Sequence, residues 1–310
     1  MAAAGTRDGG RPRVAAGVCA VCGGGALERH IEVRTEEAPA ELIPTTDRFG
    51  SALADIVRCT GCGHMQLERF PPEAELAEAY AEAESLDYVE EEEGQRATAR
   101  AMLGEIERYV APGALLDLGC WVGFLLAEAG GRGWQGTGVE PSEFAAAYAR
   151  EQLGLDVLND DLFSGALRGR RFRAVVMADV IEHLPDPGGA LQRVGELLEP
   201  GGVVALALPD AGSRLARAMG ARWWSVIPTH VQYFTRNSIR GLLEREGFQP
   251  LTVRTSPKTF TVRYYLGRLG GYRAGAGRAL VGAAERIGVA DRLWTPDFRD
   301  RMLVVARTAG

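Results

Sequence analysis

Several things are missing from this sequence of 310 residues. No apolar run approaches the ~20 residues that a membrane-spanning helix needs. The first thirteen residues are rich in Ala, Gly and Arg and lack the apolar core of a secretory signal, so residues 1–14 are expected to be a disordered terminus. Lysine is absent from Met1 to Glu75, where 8 Arg face 11 Asp plus Glu, and the whole chain carries a net charge of −6. That balance excludes a general polyanion binder, because gripping phosphates requires excess positive charge. Cysteine is also sparse: there are five. Four fall in two C-x-x-C pairs, which suits a metal site in a reducing cytoplasm better than a disulfide framework.

The pairs are Cys19-Ala20-Val21-Cys22 and Cys59-Thr60-Gly61-Cys62, each followed by glycine. A two-residue spacing lets both thiolates of one turn reach a single tetrahedral ion, and the glycine relieves the turn. Cys19, Cys22, Cys59 and Cys62 are therefore expected to bind one structural zinc. His30 and His64 are assigned to surface or packing roles, since four thiolates complete the site. Strands are predicted at Ile31–Arg34 and Ile56–Arg58, giving a zinc-ribbon-like module over residues 15–72 that closes at Pro71-Pro72. A helical lead-in is expected over 73–112. It has a helix at Glu73–Ala83, an acidic solvated face at Glu90–Glu93, and an amphipathic helix over Gly94–Val110 with Ala101, Met102, Ile106 and Val110 at helical spacing. Tyr80 and Tyr88 precede the sheet, as core or as cover for a ligand.

The remainder, 113–310, alternates strands and helices. Ala114–Leu118 is a buried strand that breaks into a glycine turn and enters a helix running to about Ala129. Further strands are expected at Thr137–Pro141, Leu155–Leu158, Phe172–Met177, Val203–Leu208, Leu251–Thr255 and Arg301–Arg307. Helices are expected at Ser142–Gln152 and Gly188–Leu198, with a helical insertion over about 257–299. This pattern predicts an α/β fold, a doubly wound and mostly parallel sheet of seven strands. In such sheets the ligand sits at the carboxyl ends of the strands, on glycine turns and helix N-termini.

Glu140 follows Asp117 by 23 residues at the end of the neighbouring strand, where an acid accepts hydrogen bonds from ribose hydroxyls. An adenosine-like ligand follows. NAD is disfavoured, because its G-x-G-x-x-G would place glycine where Trp121 and Phe124 stand. The spacing that fits is D-x-G-x-x-x-G, through Asp117, Gly119 and Gly123.

That stretch resembles motif I of the class I S-adenosylmethionine-dependent methyltransferases. The resemblance continues through Gly138-Val139-Glu140-Pro141-Ser142, Asn159-Asp160-Asp161-Leu162, Ala178-Asp179-Val180-Ile181-Glu182-His183-Leu184 and Leu198-Glu199-Pro200-Gly201-Gly202, in the family's order. It implies a Rossmann-like methyltransferase fold. It also implies that Asp117, Gly119, Cys120 and Gly123 surround the methionine part of S-adenosylmethionine, Glu140 and Pro141 the ribose, and Asp161 and Leu162 the adenine, with Ala178 and Asp179 completing the site. The family's middle glycine is Trp121 here, whose side chain would crowd the ligand unless it turned outward.

A zinc module joined to this domain is similar to bacterial sugar C-methyltransferases and to methyltransferases of glycan and natural-product synthesis. Where the sugar C-methyltransferases carry Tyr-x-Glu-His, this chain has Ile227, Pro228, Thr229 and His230, so only the histidine persists. O-methylation needs one base beside a hydroxyl, and a histidine serves. His230 is the first catalytic candidate, with His183 and Glu182 next. Trp223, Trp224 and Tyr233 are candidates for an aromatic wall or for the core. The expected acceptor is a small molecule: a sugar nucleotide, a glycan or a natural-product intermediate. Two other readings stay open, a zinc-containing RNA methyltransferase and a non-enzymatic cofactor-binding protein.

Overall fold

The computed structural model describes residues 17–35, 49–72, 75–76, 81 and 89–309. The expected disordered terminus, most of the expected helix at 73–83, and Tyr80 and Tyr88 lie outside the described residues. Strands β1 (Leu27–Ile31), β2 (Ile56–Cys59) and β3 (Met65–Leu67) form an antiparallel meander. β1 lies four residues before the expected start at Ile31. The chain leaves the first cysteine turn and pairs at once with the strand entering the second, with Leu27 opposite Cys59.

The main domain then runs in order through α1 (Glu92–Ile106), β4 (Ala114–Leu118), α2 (Phe124–Gly130), β5 (Gln135–Val139), α3 (Glu143–Glu151) and β6 (Val157–Leu158). It continues through β7 (Phe172–Ala178), α4 (Pro187–Leu197), β8 (Leu198–Pro209), α5 (Arg214–Met219), β9 (Gln232–Tyr233), α6 (Arg236–Arg245) and β10 (Phe248–Thr255). β11 (Phe260–Thr261), α7 (Val262–Arg268), α8 (Ala274–Arg286) and β12 (Leu293–Trp294) lead to the last strand, β13 (Arg301–Thr308). Seven strands form the central sheet in the order β10-β13-β8-β7-β4-β5-β6. β13 alone runs antiparallel to its neighbours; β8, β7, β4, β5 and β6 pair in parallel. The third expected strand is only two residues long, and α4 gives way to β8 at Leu198, with Pro187 as its first residue and Asp186 capping Gly189 N–H.

Strand side chains alternate between two apolar layers, as the two-residue period of a strand requires. Leu116, Leu118, Val175, Met177, Val204 and Leu206 face α4 and α6. Leu115, Ala174, Val176, Val203 and Ala205 face α1, α2 and α3. In α1 the buried stripe is Ala99, Met102, Leu103 and Ile106, spaced i, i+3, i+4 and i+7, whereas Ala101 is exposed. The acidic run before it is not wholly solvated. Glu91 is buried, and its carboxylate accepts Thr261 N–H at 2.8 Å and Thr261 Oγ1–H at 2.5 Å.

The cysteine-bearing meander is completed by the main domain, because β9 pairs with β3, Gln232 opposite Gln66. Gln232 is buried and ties three segments together. His64 Nε2 donates to its Oε1 at 2.8 Å, and its own Nε2 donates to Leu184 O and Pro185 O at 3.1 and 3.2 Å. His64 is thus a packing histidine, fully buried against Phe234, and burial pushes it down to about 4, so it stays neutral.

β11 crosses α1 at Gly94, where a Cβ would lie 2.6 Å from Thr259 O and 2.9 Å from Phe260 Cα. Gly94→Ala should therefore lower stability by ~1–3 kcal/mol from the backbone clash, despite the ~1 kcal/mol that alanine gains in a helix. Urea unfolding reads this directly; an unchanged or raised midpoint would mean that β11 is free to shift off the helix.

Candidate active site

The carboxyl ends of β4, β5, β7 and β8 open into a cavity of 770 Å³, within the range that holds a cofactor and a small substrate. β4 delivers Asp117, 3% exposed, and the chain then reverses through Gly119 at φ +70°. A Cβ there would meet Val180 Cγ2 at 2.6 Å, so the turn needs glycine for conformation and for space. Gly123, at φ +84°, caps α2. Trp121 takes the left-handed region, at φ +50°, a conformation that costs a non-glycine residue ~1–2 kcal/mol. Its ring does not swing clear of the cavity. It lines the wall, packs near Phe144 at 6.4 Å, and leaves its buried Nε1 without a partner.

Glu140 follows β5 directly. One carboxylate oxygen accepts Trp121 N–H at 2.8 Å and the other accepts Ser142 N–H at 2.9 Å, so the acid fixes both the glycine turn and the entry to α3. Burial outweighs these two bonds and pushes Glu140 up to about 7. Asp117 is pushed up to about 8, first by burial and then by the charge of Glu140. Cys120 also lines the cavity, although its thiol is turned toward Gly138, where a Cβ would lie 2.6 Å from Sγ. Pro141, Asp161, Leu162 and Ala178 reach the same wall. The loop of Asp161 is held by Asn159 Nδ2, which donates to Glu140 O at 2.9 Å, and by Asp161 Oδ1, which accepts Phe163 N–H at 2.7 Å.

Asp179 is different in kind. Its backbone is left-handed at φ +57°, and its carboxylate accepts from Arg301 and, at 2.6 Å, from Lys258 Nζ. Those two cations hold it well below the usual carboxylate range against the opposing effect of burial. Arg301 and Lys258 were not legible as partners, since 122 residues separate Asp179 from Arg301.

Beyond Asp179 the loop brings Glu182 and His183 beside His230. The two imidazole centroids are 4.6 Å apart. Each ring has its Nδ1 on a backbone carbonyl, His183 on Thr229 O at 2.9 Å and His230 on Ser225 O at 2.8 Å. A carbonyl only accepts, so each Nδ1 carries the proton and, in the neutral ring, the lone pair lies on Nε2. Burial pushes both rings down, His230 the further, with His183 next to it adding to the shift. Glu182 is 1% exposed, and burial pushes it up to about 8.

The far wall is aromatic, and the three candidate rings divide between wall and core. Trp224 lines it, 5.3 Å from Phe298. Trp223 and Tyr233 instead belong to the core, with Trp223 Nε1 donating to the buried Asp300 at 2.9 Å. Further rings come from the 257–299 insertion: Phe260, Tyr264 and Tyr265 around the start of α7, and Trp294 near the end. The aromatic density of that segment was the available signal for them.

Outside the cavity, the sulfur atoms of Cys19, Cys22, Cys59 and Cys62 all lie within 4.8 Å of one another, with Cys19–Cys62 at 3.6 Å and Cys22–Cys59 at 3.5 Å. These separations are too long for disulfides. They approach the ~3.8 Å edge of a tetrahedron with Zn–S bonds of ~2.3 Å, so the donor set fits zinc.

The pH response of the buried acid follows from its direction of shift. An aspartate raised to about 8 favours the fold fully below its ordinary range near 4, and that advantage is lost as pH climbs through about 8. Asp117→Asn is neutral throughout. Its melting temperature in the ligand-free protein should therefore gain on that of the parent by on the order of 2 °C per pH unit between about 4 and 8. Parallel melting curves across that window would contradict the burial of an unpaired charge.

Residues 91–253 match a family model described as a methyltransferase domain. The ubiquinone biosynthesis O-methyltransferase of Cereibacter sphaeroides is 31% identical over 149 residues, covering 44% of this chain and 60% of that protein. The protein of the same name from Caulobacter vibrioides is 32% identical over 176 residues, covering 49% and 69%. The chain thus spans about 60% of the length of the first of these curated relatives. A solved S-adenosylmethionine-dependent methyltransferase of Thermotoga maritima, a possible histamine N-methyltransferase, is 19% identical with a TM-score of 0.49, covering 72% of this chain and 95% of its own. With the family match spanning more than half of its length, the chain belongs to the methyltransferase-domain family, the class I S-adenosylmethionine-dependent methyltransferases.

Proposed function

We propose that this protein transfers the methyl group of S-adenosylmethionine to a hydroxyl of a small, ring-bearing acceptor from glycan or natural-product chemistry, such as a sugar nucleotide. The observation that carries the reading is one cavity with two unlike ends. One end has a glycine turn and two buried acids, Asp117 and Glu140; the other has aromatic rings and a histidine pair.

The methyl donor, when bound, supplies an electrophilic methyl on a sulfonium. Asp117 offers a buried negative charge to the donor's cationic methionine part, and Glu140 a carboxylate to its ribose. Trp224, Tyr265 and Phe298 offer faces to an acceptor ring. As the methyl carbon moves from sulfur to the acceptor oxygen, the hydroxyl proton passes to the Glu182–His183–His230 corner, with the Nε2 lone pair of His230 first in line. The products are the thioether form of the donor, the methyl ether and a proton. O-methylation is favoured over C-methylation because Ile227 and Thr229 stand where the sugar C-methyltransferases carry their Tyr and Glu. The curated relatives named above are O-methyltransferases.

We assign one zinc to the four thiolates, in a structural role. The site is continuous with the acceptor end through β3, His64 and Gln232, which holds Leu184 and Pro185 of the Glu182–His183 loop.

Incubation with methyl-labelled S-adenosylmethionine and a low-molecular-weight extract of the source organism should yield a labelled small molecule. In His230→Ala the label should fall ~100-fold or more, with donor affinity retained. No transfer to any small molecule would overturn the reading, and full turnover in His230→Ala would remove that residue. Protein dialysed against EDTA should retain about one zinc per chain. Cys59→Ser should lose it and melt at a lower temperature; a metal-free, equally stable parent would refute the assignment.

A further inference from the structure

Charge is distributed unevenly along the cavity. Among the described residues, four Lys and Arg side chains line it: Lys258, Arg268, Arg299 and Arg301. Three belong to the 257–299 insertion and the fourth opens β13, so all four stand at the acceptor end. The wall built from β4, its glycine turn, β5 and the Asp161 loop carries only acids among its charged side chains: Asp117, Glu140, Asp160 and Asp161.

Two of the cations meet at one point. Lys258 Nζ lies 2.6 Å from one oxygen of Asp179, and Arg301 donates to the other. One carboxylate does not saturate this pair, because an ammonium has three donors and a guanidinium five. Among the described residues, Asp179 is the one acceptor that either side chain has, and Arg301 Nε is buried with no partner. The other acids close by do not fill the gap. Glu182, pushed up to about 8 by burial and then by Asp179, is largely neutral at pH 7, and Asp300 Oδ2 accepts from Trp223 Nε1 at 2.9 Å. The side chains of Lys258 and Arg301 are 23% and 17% exposed, so a charge brought to them is weakly screened. They stand beside the transfer point. After burial, the charge of Lys258 adds to the downward push on His183, and that of Arg301 to the push on His230.

We propose that Lys258 and Arg301 form an oxyanion subsite that receives a phosphate or carboxylate group of the methyl acceptor. That the oxyanion belongs to the acceptor rests on the methyltransferase reading above; its binding does not. Asp179 holds the two cations together, and the ligand takes the donors that Asp179 leaves over, through charge-assisted hydrogen bonds. The acid wall and the basic corner then sort the two substrates by charge, the cationic donor to one end and the anionic acceptor to the other. Because the corner adjoins His183 and His230, it selects acceptors whose acid group lies close to the hydroxyl that is methylated. A neutral alcohol of the same size gains nothing from the two cations.

The test titrates the full-length, zinc-loaded protein calorimetrically at pH 7 with phenyl phosphate, with benzoate and with neutral benzyl alcohol. The parent should bind one oxyanion per chain, and benzyl alcohol at least ~10-fold more weakly. Lys258→Met should weaken oxyanion binding ~10-fold or more while keeping its affinity for S-adenosylmethionine. Lys258→Arg keeps the charge and should retain most of the binding, which separates charge from packing. Arg278→Gln removes an exposed cation of α8 outside the cavity and should bind as the parent does. Tighter binding of phenyl phosphate assigns a phosphate to the acceptor, and tighter binding of benzoate a carboxylate. No oxyanion binding by the folded parent, equal binding of benzyl alcohol, or equal losses in Lys258→Met and Arg278→Gln overturns the proposal. If S-adenosylmethionine binds and the oxyanions do not, the subsite is wrong and the methyltransferase reading stands. If the oxyanions bind at Lys258 and S-adenosylmethionine does not bind, the reverse holds.

Discussion

Two acids buried side by side set the terms for this fold. Asp117 and Glu140 stand at the ends of adjacent parallel strands, in a wall that removes both from water. Each raises the cost of ionising its neighbourhood, and the pair is held in place by the backbone that the site requires. Glu140 bonds the N–H groups of Trp121 and Ser142, so the acid, the glycine turn and the start of α3 form one unit. Packing alone would replace these carboxylates with apolar side chains. In the proposed reading they serve a cationic, hydrogen-bonding ligand at the mouth of the sheet, and the parallel strand order is what brings them together.

The second organising contact joins the cysteine-bearing meander to the loop after β7. β9 belongs in sequence to the main domain and in space to the meander's sheet. Gln232 on that strand spends its amide on His64 and on the carbonyls of Leu184 and Pro185. The loop bearing Glu182 and His183 is thus braced from the cysteine side, and His230 lies just upstream of the same strand. A structural metal in the meander would stiffen the acceptor end without touching it.

Much of this was legible in the chain. The strand–turn–helix at Leu115–Phe124, the acid after the next strand and the C-x-x-C-G pairs each state a local geometry, and local geometry is what sequence spacing encodes. What failed was long-range. Asp179 lines the cavity, but its partners Arg301 and Lys258 arrive from the far end of the chain and no spacing announces them. Trp223 and Tyr233 read equally as wall or core, because an aromatic pattern does not reveal which face is covered; Trp223 turns to Asp300 in the core, and the insertion supplies rings to the wall. Glu91 reads as solvated until β11 supplies Thr261. Trp121 was legible as an anomaly, but its backbone conformation was not. It adopts the left-handed turn that a glycine would have taken and adds its ring to the cavity wall.

The central claim is that the Asp117–Glu140 pair is kept for the positively charged methyl donor. Titration calorimetry of S-adenosylmethionine into the protein at pH 7, repeated in buffers of different ionisation enthalpy, tests it most directly. With the two acids at about 8 and about 7 before binding, a cationic ligand lowers both, so the account predicts one site per chain and a net release of protons that shrinks in Asp117→Asn. Absence of binding, or binding with no proton exchange, would contradict it.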